Sequence, residues 1–371
     1  MFLKTLNLLN FKSFSEKEFE LSEGVNGFVG NNGVGKTNVL DAIHYLSVGK
    51  SYLNSIDRQI VRFDEDFFAV SGTWLLENDE YNVHCSFKIG SKKKVRCNKK
   101  EYDKLSEHIG KFPVVFISPY DGDLIAEGSE MRRKWFDGIL AQSDKSYLEL
   151  IQRYQRILEQ RNTLLKQFYE SRHFDKDSID IWDVQMTEIG QQIFNSRKSF
   201  LADFLPDFKK IYGEIANSEE LVEITYKSHF QEENFYQQLK NGAQKDAHTQ
   251  YSNFGVHKDD LLFTIGGHPV KKFGSQGQQK TFLIALRIAQ YDWMKRQMKK
   301  KPVLLLDDIF DKLDNNRVQK LVKLVATHYL GQVIITDTDP QRMSQLFEQI
   351  EGNKKLFHLS PSIQEPEPQE L

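Results

Sequence analysis

The sequence predicts an α/β fold: a mixed sheet with flanking helices, split by a long helical insertion. Three observations predict it. "FVGNNGVGKTNVLDAI", residues 28–43, has the glycine, lysine and threonine spacing of a phosphate-binding loop between an apolar run and a helix. "KKPVLLLDDIFDKLD", residues 300–314, is an apolar run that ends in two aspartates. Between them, residues 131–171 and 182–204 carry apolar positions at helical spacing.

The loop comes first in the chain. Its glycines let backbone N–H groups curl around phosphate oxygens, so Gly30, Asn31, Asn32, Gly33, Val34, Gly35, Lys36, Thr37 and Asn38 form the candidate ATP site. Lys36 supplies a mobile charge for the β- and γ-phosphates, and the Thr37 hydroxyl is a candidate Mg²⁺ ligand. The helix that follows places Leu40, Ile43 and Leu46 on one buried face and stops at Gly49. Its positive N-terminal end adds to the anion site.

Composition narrows the setting. The 371 residues are 39% hydrophobic and 27% charged with a net charge of −2, so no global charge announces a nucleic-acid binder and any such surface must be local. No apolar run approaches the length of a membrane span. "MFLKTLNLLNFKSF" is too short and too interrupted by polar residues for a signal peptide, and the expected location is cytoplasmic. Cys85 and Cys97 have no His or Cys partner at ligand spacing, which argues against a zinc site or a disulfide framework.

The second half of the site is the acidic run. Val303–Leu306 suits a central parallel strand, with Asp307 emerging at its C-terminal end as a metal ligand and Asp308 placed to hold or deprotonate a water. Simple P-loop kinases and GTPases manage with far fewer residues between lysine and aspartate, so a large insertion divides this head. Ahead of that strand, "FGSQGQQKTFLIALRIAQYDWMKRQ" opens a long helix with Ser275 as N-cap and exposed amides at Gly277 and Gln278. That is a second anion site, suited to the nucleotide of another subunit.

The order phosphate loop, "SQGQQK", "LLLDD", "DKLD" resembles the ABC-type ATPase heads of the SMC-like group. "GSQGQQK" with "GVHKDDL" (residues 255–261), and "LLNFKSF", "GKSYLNSID" and "SPYDGDLIAEGSEMRRKWFD" in the same order, are similar to the RecF family of recombinational repair proteins over residues 1 to 360. The resemblance implies an ATP-dependent homodimer in which Gly30–Thr37 of one chain face Ser275, Gly277 and Gln278 of the other. It also implies that Asp311–Asp314 cross the interface. By the same resemblance the dimer is a clamp on single-stranded or gapped DNA that helps RecO and RecR load RecA and supports the SOS response, with a slow, DNA-stimulated ATPase as its switch. Two departures stand out. Tyr52, Leu53 and Asn54 occupy a position where the family suggests His-Arg-Thr, which moves any arginine role to Arg58 or Arg62, and Asp337 stands where such heads carry a switch histidine.

The implied organisation is a head from residues 1–120 and 250–360, an inserted arm from 121–249, and a proline-rich acidic tail, 361–371, expected to be disordered. In the arm, Tyr147, Ile151, Tyr154, Leu158, Leu165 and Phe168 interdigitate with Trp182, Met186, Ile189, Ile193 and Phe200 as an antiparallel pair, with Arg161 as the exception in the stripe. The pair either projects from the head or packs flat on it. The densest basic run, Lys92, Lys93, Lys94, Arg96, Lys99 and Lys100, reads as a hairpin at a sheet edge, either for DNA phosphates or as a solvated edge that resists aggregation; the resemblance favours DNA. Arg132, Arg133 and Lys134 open a helix, where positive charge needs an anionic neighbour or a function. His257 either approaches the nucleotide or holds a turn. A transporter ATPase predicts a much shorter insertion, a nuclease-coupled ATPase a further acidic metal cluster, and a small-molecule phosphotransferase leaves the Ser275 helix without a purpose.

Overall fold

The computed structural model describes residues 1–216, 220–232, 234–309 and 331–360. They form two compact units, one of Met1–Tyr120 with the chain from Met294 onward, the other of Asp121–Trp293.

In the first unit, β1 (Phe2–Phe11) and β2 (Phe14–Glu20) close a hairpin in which Phe11 pairs with Phe14 and Lys12 takes a left-handed φ of 52°. With β4 (Phe67–Leu76), β5 (Asp79–Lys88), β6 (Lys94–Cys97) and β7 (Lys100–Glu101) they build an antiparallel sheet in the order β2-β1-β4-β5-β6-β7. Alternation drives it: Phe68, Val70, Gly72 and Trp74 of β4 are buried and the residues that alternate with them are half-buried. A second sheet runs β14-β3-β13-β12-β8, from β3 (Val25–Val29), β8 (Val114–Ile117), β12 (Val303–Leu306), β13 (Val333–Asp337) and β14 (Lys354–His358), with every neighbour parallel. Its central strands are buried along their whole length and largely apolar, as a parallel sheet covered on both faces requires.

Helix α1 (Lys36–Val48) touches strands of both sheets and is buried nearly all round, through Val39, Leu40, Ile43, Tyr45 and Leu46 among others. Gly49 ends it in a left-handed conformation, its N–H on the Tyr45 carbonyl at 2.8 Å. Cys85 and Cys97 are free and buried. Among the described residues no helix is long and apolar enough to cross a membrane.

The second unit holds α2 (Asp123–Ala126), α3 (Ser129–Ser143), α4 (Lys145–Ser171), α5 (Lys176–Ala216), α6 (Phe235–Thr249), α7 (Val270–Phe273) and the start of α8 (Gln276–Met298). The stretch 131–171 is thus two helices: Asp144 leaves helical geometry and its carboxylate caps α4 through the Ser146 N–H at 2.8 Å. The connection to α5 is shorter than the polar run suggests, because Asp175 accepts from the N–H groups of Asp177 and Ser178 and starts the helix there. A small sheet, β11-β10-β9, joins β9 (Val222–Lys227), β10 (Asp260–Ile265) and β11 (His268–Pro269). Residues 250–293, assigned to the head from sequence, fall in this unit: β10 pairs with β9 along its length, and Phe282 of α8 packs on Phe208 and Phe263.

Arg161, the exception in the apolar stripe, is fully buried, and it binds Asp183 of α5 at 2.6 Å, Asp246 of α6 at 2.7 Å and the Ser252 hydroxyl at 2.8 Å. Burial raises the Asp183 pKa and the guanidinium opposes the rise. Arg161→Ala strands two carboxylates in the interior and is expected to lower the unfolding free energy by about 3–5 kcal/mol in urea titrations. Arg161→Met with Asp183→Leu and Asp246→Leu should recover most of that loss, because the desolvation cost leaves with the charges.

Candidate functional site

The phosphate loop lies where β3 gives way to α1, at the C-terminal end of a central parallel strand. Two glycines are obligatory by geometry. A Cβ on Gly30 would sit 2.4 Å from the Leu359 carbonyl oxygen; Gly35 has φ 101° and a Cβ there would meet Ser13 Oγ at 2.7 Å. Gly35 is the N-cap of α1, no side chain caps the helix, and Val39 is the first residue bonded back to it, to the Gly35 carbonyl at 3.1 Å. The N–H groups of Lys36, Thr37 and Asn38 are therefore the donors of an anion site. Lys36 is buried and donates from Nζ to the Gly30 and Asn31 carbonyls at 2.8 and 3.1 Å. Asn31, Asn32 and Gly33 are exposed, Val34 is buried, and Asn38 donates to Ser13 Oγ at 2.9 Å.

Asp307 follows β12 and stands against the loop. Its Oδ1 accepts from Thr37 Oγ1 at 2.9 Å and from Thr336 Oγ1 of β13 at 2.9 Å. Burial pushes the carboxyl up to about 6, opposed by the two hydroxyls and reinforced by Asp308. The Asp308 N–H donates to the same Thr336 oxygen at 2.9 Å, and Asp308 has a left-handed φ of 42°. A hydroxyl and a carboxylate in contact are hard oxygen donors of the kind Mg²⁺ takes beside phosphates and waters, so Thr37 and Asp307 fit that ion. Thr336 was not found from sequence, where it reads as one more β-branched residue of a strand.

Asp337 is buried and its carboxylate is held by Arg342 of α9 (Pro340–Gln349) at 2.6 and 2.5 Å in a bidentate pair. The loop after α1 is organised by buried Asp41, which accepts from Ser51 Oγ at 2.6 Å and the Tyr52 N–H at 2.7 Å and pairs with Lys12 at 2.6 Å. Leu53 and Asn54 donate their N–H groups to Ser51 Oγ; Arg58 is exposed and Arg62 half-buried. Asp311–Asp314 and the tail lie outside the described residues.

In the second unit, Ser275 and Gln278 form a reciprocal cap: Gln278 N–H donates to Ser275 Oγ at 3.2 Å and Ser275 N–H to Gln278 Oε1 at 2.8 Å. Ser275 is exposed, Gly277 lies in the first turn of α8, and Gln278 Nε2 also donates to Glu220 at 2.6 Å.

"GVHKDDL" is a structural knot. His257 accepts at Nδ1 from the Tyr154 hydroxyl at 3.0 Å and donates from Nε2 to the Ser252 carbonyl at 3.0 Å, and burial lowers its pKa to about 4. Asp259 pairs with buried Arg197 at 2.5 Å, while Arg132 grips Asp260 at 2.7 and 3.1 Å and Arg133 reaches the Asp259 carbonyl at 2.6 Å. These acceptors are the anionic neighbour that the basic start of α3 required.

The basic run is a hairpin: β6 and β7 lie at the sheet edge around Asn98 and Lys99, both with positive φ. Lys92, Lys94, Arg96, Lys99 and Lys100 are exposed, with Arg96 on Glu101 at 3.3 Å. Lys93 differs, because its ammonium bonds the Gly49 carbonyl at 2.8 Å and Asp57 at 3.1 Å, at the C-terminal end of α1 where positive charge is favourable.

The RecF/RecN/SMC N-terminal domain model matches residues 2–358. The DNA replication and repair protein RecF of Flavobacterium johnsoniae is 46% identical over 97% of this chain and its own full length, and that of Bacteroides fragilis is 41% identical over the whole of both. The solved structure of the recombination mediator protein RecF with ATP in the RecFOR pathway superposes with a TM-score of 0.87 at 30% identity, covering 97% of this chain and 96% of that one. An Smc head bound to ScpA shares the fold at 15% identity, with a TM-score of 0.52 over 93% of this chain and 91% of that one.

His257 gives a pH signature. Its folded pKa lies below its unfolded value, so its contribution is complete above the unfolded pKa and fades as pH falls from about 6.5 to about 4. Lys258, Arg133 and Arg161 nearby also disfavour the imidazolium. The buried Asp307 carboxyl titrates in the same window with the opposite sign, so the signature is read as a difference: in urea titrations wild type should lose about 3 kcal/mol relative to His257→Asn between pH 6.5 and 4.

Proposed function

We propose, for a chain that belongs to the RecF family of DNA replication and repair proteins, an ATP-switched clamp that closes as a homodimer on single-stranded or gapped DNA. In the family's pathway the clamp would work with RecO and RecR to load RecA, in the cytoplasm. The observation that carries the reading is the chain of contacts from Thr37 through Asp307 and Thr336 to Asp308, which brings the phosphate loop and the acidic strand together. A glycine cradle alone would bind an anion; a cradle with two aspartates at its edge can bind a metal nucleotide and act on it.

The roles follow from the groups. The α1 N–H groups and Lys36 bind the phosphates, and Lys36 exchanges its loop carbonyls for phosphate oxygens. Mg²⁺, when bound by Thr37 and Asp307, screens charge on those oxygens. Asp308 holds a water and takes its proton at the carboxylate. Ser275, Gly277 and Gln278 of a second copy would complete the site, so that ATP contributes to the closure of the dimer. Slow hydrolysis then resets it.

Solution mass with no nucleotide, ADP or ATP tests this. ATP alone should raise the mass to that of a dimer, and Lys36→Ala and Ser275→Arg should each leave a monomer. If Ser275→Arg dimerises with ATP as wild type does, the shared site is wrong. Exchange of Lys94, Lys99 and Lys100 for Glu should weaken DNA binding for every sequence alike and make the slope of log affinity against log salt shallower by about 2–3. An unchanged slope would mark the hairpin as a solvated edge.

A further inference from the structure

Among the described residues, strand β9 is an edge of its sheet and pairs with β10 alone. The Gly266 N–H donates to the Leu221 carbonyl at 2.8 Å, which makes Thr264–Glu223, Leu262–Thr225 and Asp260–Lys227 the hydrogen-bonded pairs of the ladder. The amides and carbonyls of Val222, Ile224 and Tyr226 therefore point away from β10. The Gln231 side chain, which donates to the Tyr226 carbonyl at 2.8 Å, meets that outward edge at one end.

Beside this edge runs a groove of about 580 Å³ between β9 and α5, lined by Phe194, Leu201, Leu205, Ile224, Tyr226 and Phe230. Phe194 stacks between Tyr226 and Phe230 at 5.6 and 6.1 Å, which fixes an apolar aromatic floor. The charged groups in the lining are Lys198, Lys209 and Glu223, with Lys209 and Glu223 in an exposed pair at 3.4 Å, so the lining carries net positive charge.

We propose that β9 and this groove take an extended segment of a partner protein whose side chains alternate apolar and acidic. The outward amides of Ile224 and Tyr226 would extend the ladder by one strand, apolar side chains would enter the groove, and carboxylates would meet Lys198 and Lys209. A second copy of this chain fits less well, because pairing β9 with itself brings the lysines of two copies together.

The probe is a fluorescent synthetic peptide of alternating glutamate and valine, titrated against the full chain without nucleotide, beside a lysine–valine peptide and a glutamate–valine peptide with methylated backbone nitrogens. Only the first should bind, and Lys198→Glu with Lys209→Glu, both exposed, should weaken it about tenfold. Hydrogen exchange resolved to single amides on the wild type should show new protection at Ile224 and Tyr226 and none at Thr225. Equal binding of the methylated peptide, protection of Thr225 alone, or no binding of any peptide would overturn the proposal. So would nucleotide-independent dimers in sedimentation that Lys198→Glu breaks, which would mean that the edge serves a second copy.

Discussion

A single carboxylate oxygen, Asp307 Oδ1, is the constraint on which the nucleotide site depends. It accepts from a hydroxyl on α1 and from a hydroxyl on β13, while its own residue directly follows β12. Three elements that approach from distant parts of the sequence are thereby fixed at one end of the parallel sheet. The rest of the first unit serves that meeting. The strands are apolar enough to stack without water, α1 is wedged between two sheets, and the glycines remove the atoms that would hold the loop away. The same oxygen is in tension, since burial favours a neutral carboxyl and a cation in the site favours the ionised one.

The second unit solves a different problem by similar means. Its long helices are joined across their interior by two buried arginines, Arg161 and Arg197, each bound to acids from other elements, and Arg197 also lies over the Phe136 ring at 4.6 Å. Such pairs return little net stability, because desolvation consumes most of the attraction. They do impose register: a slip of either helix by one residue would leave a charge without its partner, whereas an apolar seam of Leu and Phe tolerates a slip at modest cost.

Much of the candidate site could be read from the sequence because its signals are local. The phosphate loop, the stop at Gly49, the paired aspartates after an apolar run, the Ser275 cap and the basic hairpin are each decided by residues within a few positions. What could not be read depends on contacts between residues far apart in sequence. Nothing around Thr336 distinguishes it from Ile334 or Ile335 until Asp307 is placed beside it. Lys93 looks like its neighbours in a basic run and is instead a brace for α1, and His257 looks like a candidate for chemistry and is a neutral tie between a tyrosine and a carbonyl. The division of the chain was displaced for the same reason, since β9 and β10 find each other across a helix and a loop.

The left-handed backbone at Asp308 limits which residues a chain of this shape can accept there. Short polar side chains and glycine visit that conformation at low cost, whereas β-branched residues are driven out of it by their own Cβ substituents. Replacement by glutamate would therefore change two things together, the reach of the carboxylate and the ease with which the strand turns out of the sheet. The tight corner after β12 thus acts as a filter on sequence, and the identity of the group offered to a water is set in part by the bend that carries it.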